Sequence, residues 1–206
     1  MKKDFFLTKI DYTILLIISI VVALIIIIRD LFLGRYDLFF WFCDFTPFLV
    51  LVALKLKSRT LLQGVANVGF FIQIFYLVSI IIAWVFGNGL FSHEFVESVF
   101  QQSSMLIFIT ILVHSFNIVL FLIIIKYKPL RGGVAHSLGV IALMYFPAIL
   151  FFSRNENINM VYSYVPFSDY LPFYNTMWIF WMFLIIVIPT HFIAKFLHSK
   201  FYSQSP

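Results

Sequence analysis

The stretch YTILLIISIVVALIIII, Tyr12 to Ile28, carries no charged side chain. At 1.5 Å per helical residue it extends about 25 Å, close to the thickness of a bilayer's hydrocarbon core. Similar blocks recur along the 206 residues, of which 63% are hydrophobic, 20% aromatic and only 11% charged. Such a composition belongs to an integral membrane protein and excludes a soluble domain.

The block follows Met1, Lys2 and Lys3 but is too long for a secretory h-region. No small-x-small cleavage site precedes Arg29 and Asp30, so a retained helix is expected. Six spans are expected, at about Tyr12–Ile28, Tyr36–Leu56, Ala66–Phe86, Ser104–Ile125, Val134–Phe152 and Tyr174–Leu197. The fold class is therefore all-α, a polytopic six-transmembrane-helix bundle forming one domain over residues 1–206. The connections are RDLFLGR, KLKSRTLLQG, the weakly amphipathic GNGLFSHEFVESVFQQS, KYKPLRGG and the polar SRNENINMVYSYVPFSDYLPF. No internal repeat supports a paired-repeat transporter.

Placing both termini in the cytoplasm collects Lys2, Lys3, Lys9, Lys55, Lys57, Arg59, Lys126, Lys128, Arg131, Lys195 and Lys200 on that side. Arg29, Arg35 and Arg154 then face outward. This is the positive-inside arrangement, and it points to a multi-pass protein of the plasma (cytoplasmic) membrane. The net charge of +5 is explained by that asymmetry, so no nucleic-acid partner is implied. Trp41, Trp84, Trp178 and Trp181 fall towards the outer ends of their spans, where an interfacial belt is expected.

The informative residues are the polar ones inside the spans, because ionisable groups at membrane depth are costly unless they face the bundle interior. They are Cys43 and Asp44 on helix two, Asn67 and Gln73 on helix three, His114 and Asn117 on helix four, and His136 near the start of helix five. Cys43 lies about 10 Å and His114 about 15 Å into the core from the same side, so a modest tilt brings thiol and imidazole level, as a Cys/His nucleophile pair requires. A lone buried cysteine is ordinarily a small hydrophobe. A mid-span histidine is a functional candidate by default. For Asp44 three roles stay open: orienting His114, pairing with an inner cation, or bonding to Asn67 or Gln73. Asn67 and Gln73 read as interhelical ties, and His136 as an interfacial group beside Arg131. With Cys43 the sole cysteine, no intrachain disulfide forms. No phosphate loop, HExxH, CxxC or GxSxG is present, and neither a metal nor a cofactor is expected.

The order of several short motifs resembles the YwaF-like integral membrane family, to which the transmembrane protein 164 acyltransferases and, more remotely, the six-helix androgen-induced-protein hydrolases are similar. The matching pieces are FCD at Phe42–Asp44, VHSFN at Val113–Asn117, the turn KYKPLR, NINMVYSYVP at Asn157–Pro166 and PFYNTMWIFW opening helix six. Ser115 departs from a usual glycine, and Tyr162 and Ser163 stand where a cysteine is often near. The resemblance implies a lipid acyltransferase or acyl hydrolase with membrane lipids as surroundings and substrates. Cys43 would be the acyl-accepting nucleophile and His114 its base, with Asn117, Asn67 or Gln73 as oxyanion donors and Asp44 as a weaker third partner. In the hydrolase variant a threonine replaces the cysteine, and Thr46 is the nearest. Two other readings stand beside this one: a small-solute binding or transport subunit, and an assembly protein whose polar groups only lock helix packing.

Overall fold

In the computed structural model, residues 7–86, 104–154, 157–162 and 170–202 are described. The expected amphipathic connection 87–103 and parts of the long outer connection lie outside them, as does the side chain of Trp84. Among the described residues the regular structure is entirely helical. In chain order the helices are α1 (Lys9–Leu33), α2 (Phe42–Lys55), α3 (Arg59–Phe86), α4 (Ser104–Ile124), α5 (Arg131–Phe151) and α6 (Trp178–Phe201). All but α2 are long and apolar enough to cross a membrane. The protein is a multi-pass helical membrane bundle.

Side-chain placement follows the solvent. Phe32, Phe108, Leu150 and Phe192 stand exposed on the outer surface. Asp30, Ser79, Asn117, Ser137 and Thr190 are fully buried. In lipid, apolar groups gain nothing from going inside, whereas polar groups must find partners there. The central helix is α3, which packs against α2, α4, α5 and α6, while α1 lies against α2 and α4. Close approach explains two glycines. A Cβ on Gly64 would come within 2.8 Å of His136 Cβ on α5, and one on Gly133 within 2.6 Å of Gln63. Small residues at that crossing let the backbones meet.

Helix α1 begins at Thr8, whose hydroxyl accepts from Asp11 N–H at 3.1 Å, and ends at Gly34. That glycine takes the left-handed conformation (φ 63°) and caps the carbonyls of Asp30 and Leu31. Arg29 and Asp30, expected in a connection, are therefore inside the last turns of α1. At the opposite end Asp11 accepts from Lys126 Nζ at 2.8 Å and from Tyr127 Oη at 2.7 Å, tying α1 to the end of α4. The bond to the Asp11 carboxylate raises the Lys126 pKa above the ordinary lysine value.

The second expected span is divided. A 3₁₀ turn at Tyr36–Phe40 leads to Trp41 in extended conformation (φ −72°, ψ 137°), and only then does α2 begin. Its 14 residues cover about 21 Å, short of the hydrocarbon thickness. The sixth span is also irregular: α6 widens into a π turn at Phe183–Val187, followed by Pro189. Trp178, assigned from sequence to the interfacial belt, is instead 1% exposed and stacked near Tyr145 in the core.

Candidate functional site

The break at Trp41 would leave backbone groups unpaired about 20 Å above the Lys55 end of α2, where lipid offers no partners. Asn159, from a short turn at Ile158–Met160, supplies both. Its Nδ2 donates to the Phe40 carbonyl at 2.8 Å, and its Oδ1 accepts from Phe42 N–H at 2.7 Å. Asn157 and Asn159 both adopt left-handed backbone (φ 41° and 55°), which asparagine tolerates better than most residues. Buried Ile158 and Val161 anchor the turn in the core.

Helix α2 thus starts inside the bundle. Cys43 occupies its second position, partly buried, with its sulfur against the backbone N–H groups of Cys43 and Asp44. Thr46 donates its hydroxyl back to the Phe42 carbonyl at 2.6 Å and is completely buried, so that oxygen is committed to the helix. Pro47 has no N–H for the carbonyl of Cys43, which loosens the first turn around the thiol.

Asp44 binds Arg29. The Arg29 Nη2 lies 2.6 Å from Asp44 Oδ2 and 2.7 Å from Asp30 Oδ1, and Nε donates to Asp30 Oδ1 at 2.7 Å. This corrects the sequence reading: the partner is neither His114, nor an inner cation, nor Asn67 or Gln73, but an arginine assigned to the outer connection. All three side chains are at least nine-tenths buried, and one guanidinium faces two carboxylates. Asp30 Oδ2 and Asp44 Oδ1 have no hydrogen-bond partner among the described residues.

His114, on α4, is buried and held on two sides. Its Nδ1–H donates to the Thr110 carbonyl at 2.7 Å, and its ring stacks on Tyr76 of α3 at 3.8 Å and 12°. A ring donating from Nδ1 keeps its lone pair on Nε2. Tyr76 also lies within the electrostatic reach of Cys43, Asp44 and Arg29.

The remaining sequence candidates separate. Asn117 is fully buried with both amide atoms unpartnered, opposite Gly69 and the Phe42 ring. Gln73 is buried with Oε1 unpartnered. Asn67 donates to Ser137 Oγ at 3.3 Å, a tie between α3 and α5. His136 is exposed and donates from Nδ1 to the Gly132 carbonyl at 2.8 Å. Among the described residues, no three His, Cys, Asp or Glu side chains come together as metal ligands would.

Sequence reasoning overlooked a second buried polar pair. His191 Nδ1 lies 3.2 Å from Gln63 Nε2, and Gln63 Oε1 accepts from Leu130 N–H at 2.7 Å. The signal available was a histidine following Pro189 and Thr190 inside an apolar helix. Among the described residues one apolar cleft lies between α1 and α4 and another at the end of α6; neither is lined by Cys43 or His114. Comparison with family models, curated proteins and solved structures finds no match to this chain.

Proposed function

We propose that this protein, with both termini cytoplasmic and α2 completed as a sixth crossing by the turn before it, transfers or hydrolyses lipid acyl groups through Cys43 and His114. The observation that carries the reading is the setting of His114. A bond from Nδ1 to Thr110 and a face on Tyr76 fix its tautomer and its plane, as a general base requires. Cys43 at the start of a buried helix adds to it, since the first turn of a helix carries the positive end of its dipole, which favours negative charge developing on an attacking sulfur. The resemblance to the acyltransferase family assigns the same two residues.

In this mechanism the thiol proton passes to His114 Nε2 and Cys43 Sγ attacks the ester carbonyl. A carbon–sulfur bond forms, the ester carbon–oxygen bond breaks, and the proton leaves with the alcohol. An incoming alcohol or water then gives its proton to His114 and attacks the thioester, restoring the thiol. Asn117, whose amide has no partner among the described residues, is the oxyanion donor best free to serve; Asn67 is occupied by Ser137. The Arg29–Asp44 pair positions the first turn of α2.

The test is acylation of the purified full chain by an alkyne-tagged phospholipid, read as a hydroxylamine-labile adduct. Wild type should label at Cys43, Cys43→Ala should not, and His114→Ala should slow labelling by about 10²-fold or more. Labelling or turnover unchanged in Cys43→Ala would sink the proposal.

The unpartnered oxygens of Asp30, Asp44 and Gln73 beside a broken helix favour a second reading, small-solute binding or transport. That reading requires saturable stabilisation by a solute, lost in Asp44→Asn and retained in Cys43→Ala.

A further inference from the structure

At the Lys55 and Lys126 end of the bundle, a cleft of about 470 Å³ opens between the segment after α4 and the last turns of α6. Its lining includes Lys128, Phe192, Lys195, Phe196, His198 and Ser199. The walls are fixed. His198 donates from Nδ1 to the Ile125 carbonyl at 3.0 Å, joining the end of α6 to the end of α4. The Lys128 carbonyl accepts from Arg59 at 3.3 Å, and Leu130 N–H is held by Gln63.

The chemistry of the cleft is two-sided. Lys128 and Lys195 are exposed cations, Ser199 adds a hydroxyl, and among the described residues no carboxylate lines the cleft. Asp11 is the one acidic residue at this end among the described residues, and it is already bonded to Lys126 and Tyr127. Phe192 and Phe196 lie one turn apart on the same helix face, 63% and 62% exposed, with Lys195 5.9 Å over the Phe192 ring. The cleft sits where the apolar run of α4 stops, the level at which lipid head groups meet acyl chains.

We infer that this cleft binds an anionic phospholipid, its phosphate between Lys128 and Lys195 and its acyl chains along Phe192 and Phe196. Charge complementarity selects the occupant: two lysines at a head-group level, unopposed among the described residues, favour a net-negative lipid over a zwitterionic one. The apolar flank distinguishes a lipid from a free anion. The site is remote from Cys43 and His114 and does not depend on the acyl-transfer reading.

Lipid retention on the full chain, measured by native mass spectrometry after exchange into mixed phosphatidylglycerol and phosphatidylcholine, tests this. Wild type should retain phosphatidylglycerol about 10-fold or more over phosphatidylcholine, the scale expected of two basic residues near an anionic lipid. Lys128→Gln/Lys195→Gln should lose the preference, Lys128→Arg/Lys195→Arg should keep it, and Lys55→Gln/Lys57→Gln, which changes lysines outside the cleft, should also keep it. Equal retention of the two lipids by wild type overturns the inference. So does an unchanged preference in Lys128→Gln/Lys195→Gln, or displacement of the bound lipid by millimolar glycerol phosphate alone. If the glutamine pair fails to fold, loss of preference in the arginine pair counts equally against it.

Discussion

Asn159 accepts a hydrogen bond from the Phe42 N–H at 2.7 Å across a separation of 117 residues. With the bond to the Phe40 carbonyl, it replaces the backbone pairing that Trp41 interrupts, so a turn of the outer connection determines where α2 begins.

Replacing Asn159 by Ala should destabilise the bundle by about 1–3 kcal/mol, the cost of a buried amide left unpaired. Both groups that Asn159 serves, the Phe40 carbonyl and the Phe42 N–H, lose their partner. Asn159→Gly relieves the left-handed backbone yet removes both bonds. It should recover only a small part of the stability, as read by denaturant titration in detergent. Full recovery would mean that backbone conformation, and not bonding, is what Asn159 contributes.

The charged cluster predicts an asymmetry. Arg29→Met leaves two buried carboxylates without a cation and should cost about 3–5 kcal/mol. Asp44→Asn leaves a balanced Arg29–Asp30 pair and keeps an acceptor for the guanidinium, so it should cost no more than about 1 kcal/mol. Equal losses in the same unfolding titration would contradict the one-cation, two-carboxylate account.

Two glycines in the α3 and α5 pair should behave oppositely. Gly64→Ala pushes a methyl into His136 Cβ and the backbone behind it, and overpacking of that kind costs about 1–3 kcal/mol. Gly139 has nothing within 4 Å of the Cβ position, and Gly139→Ala should be neutral or stabilising by up to about 1 kcal/mol. Melting temperatures of the two variants decide it.

Lys126 sets an alkaline limit. Because its folded pKa is raised by Asp11, its contribution is present in full below the unfolded value near 10.5 and is lost as pH rises through the folded value. The melting temperature of wild type should therefore approach that of Lys126→Gln above about pH 10.5, having exceeded it at neutral pH.

Much of the architecture was legible in the sequence, because each long apolar block is its own signal: five long helices overlap the expected blocks, although α3 begins at Arg59 and not at Ala66, so most of the expected connection KLKSRTLLQG is helical. The end of α1 was misjudged for a local reason. Arg29 was taken as a stop, while the true stop, Gly34, lay five residues on. The division at Trp41 had no local signature, neither glycine nor proline, since the residue that permits it is Asn159. Asn67 was correctly expected as a tie between helices. Asp44 was not placed, because its partner had been assigned to a loop. His114 and Cys43 were both singled out, but Tyr76 is an ordinary aromatic in an apolar helix until the fold sets it against His114.

The π turn at Phe183–Val187 has a further consequence. A π turn takes more residues than an α turn, so the residues on its two sides do not follow a single 3.6-residue repeat. The two halves of α6 therefore keep independent phases. Beyond the turn on one side Trp178 is set against Tyr145, and on the other His191 is set against Gln63. The sixth helix is thus read on two scales, one half set against α5 through Trp178 and the other against α3 through His191.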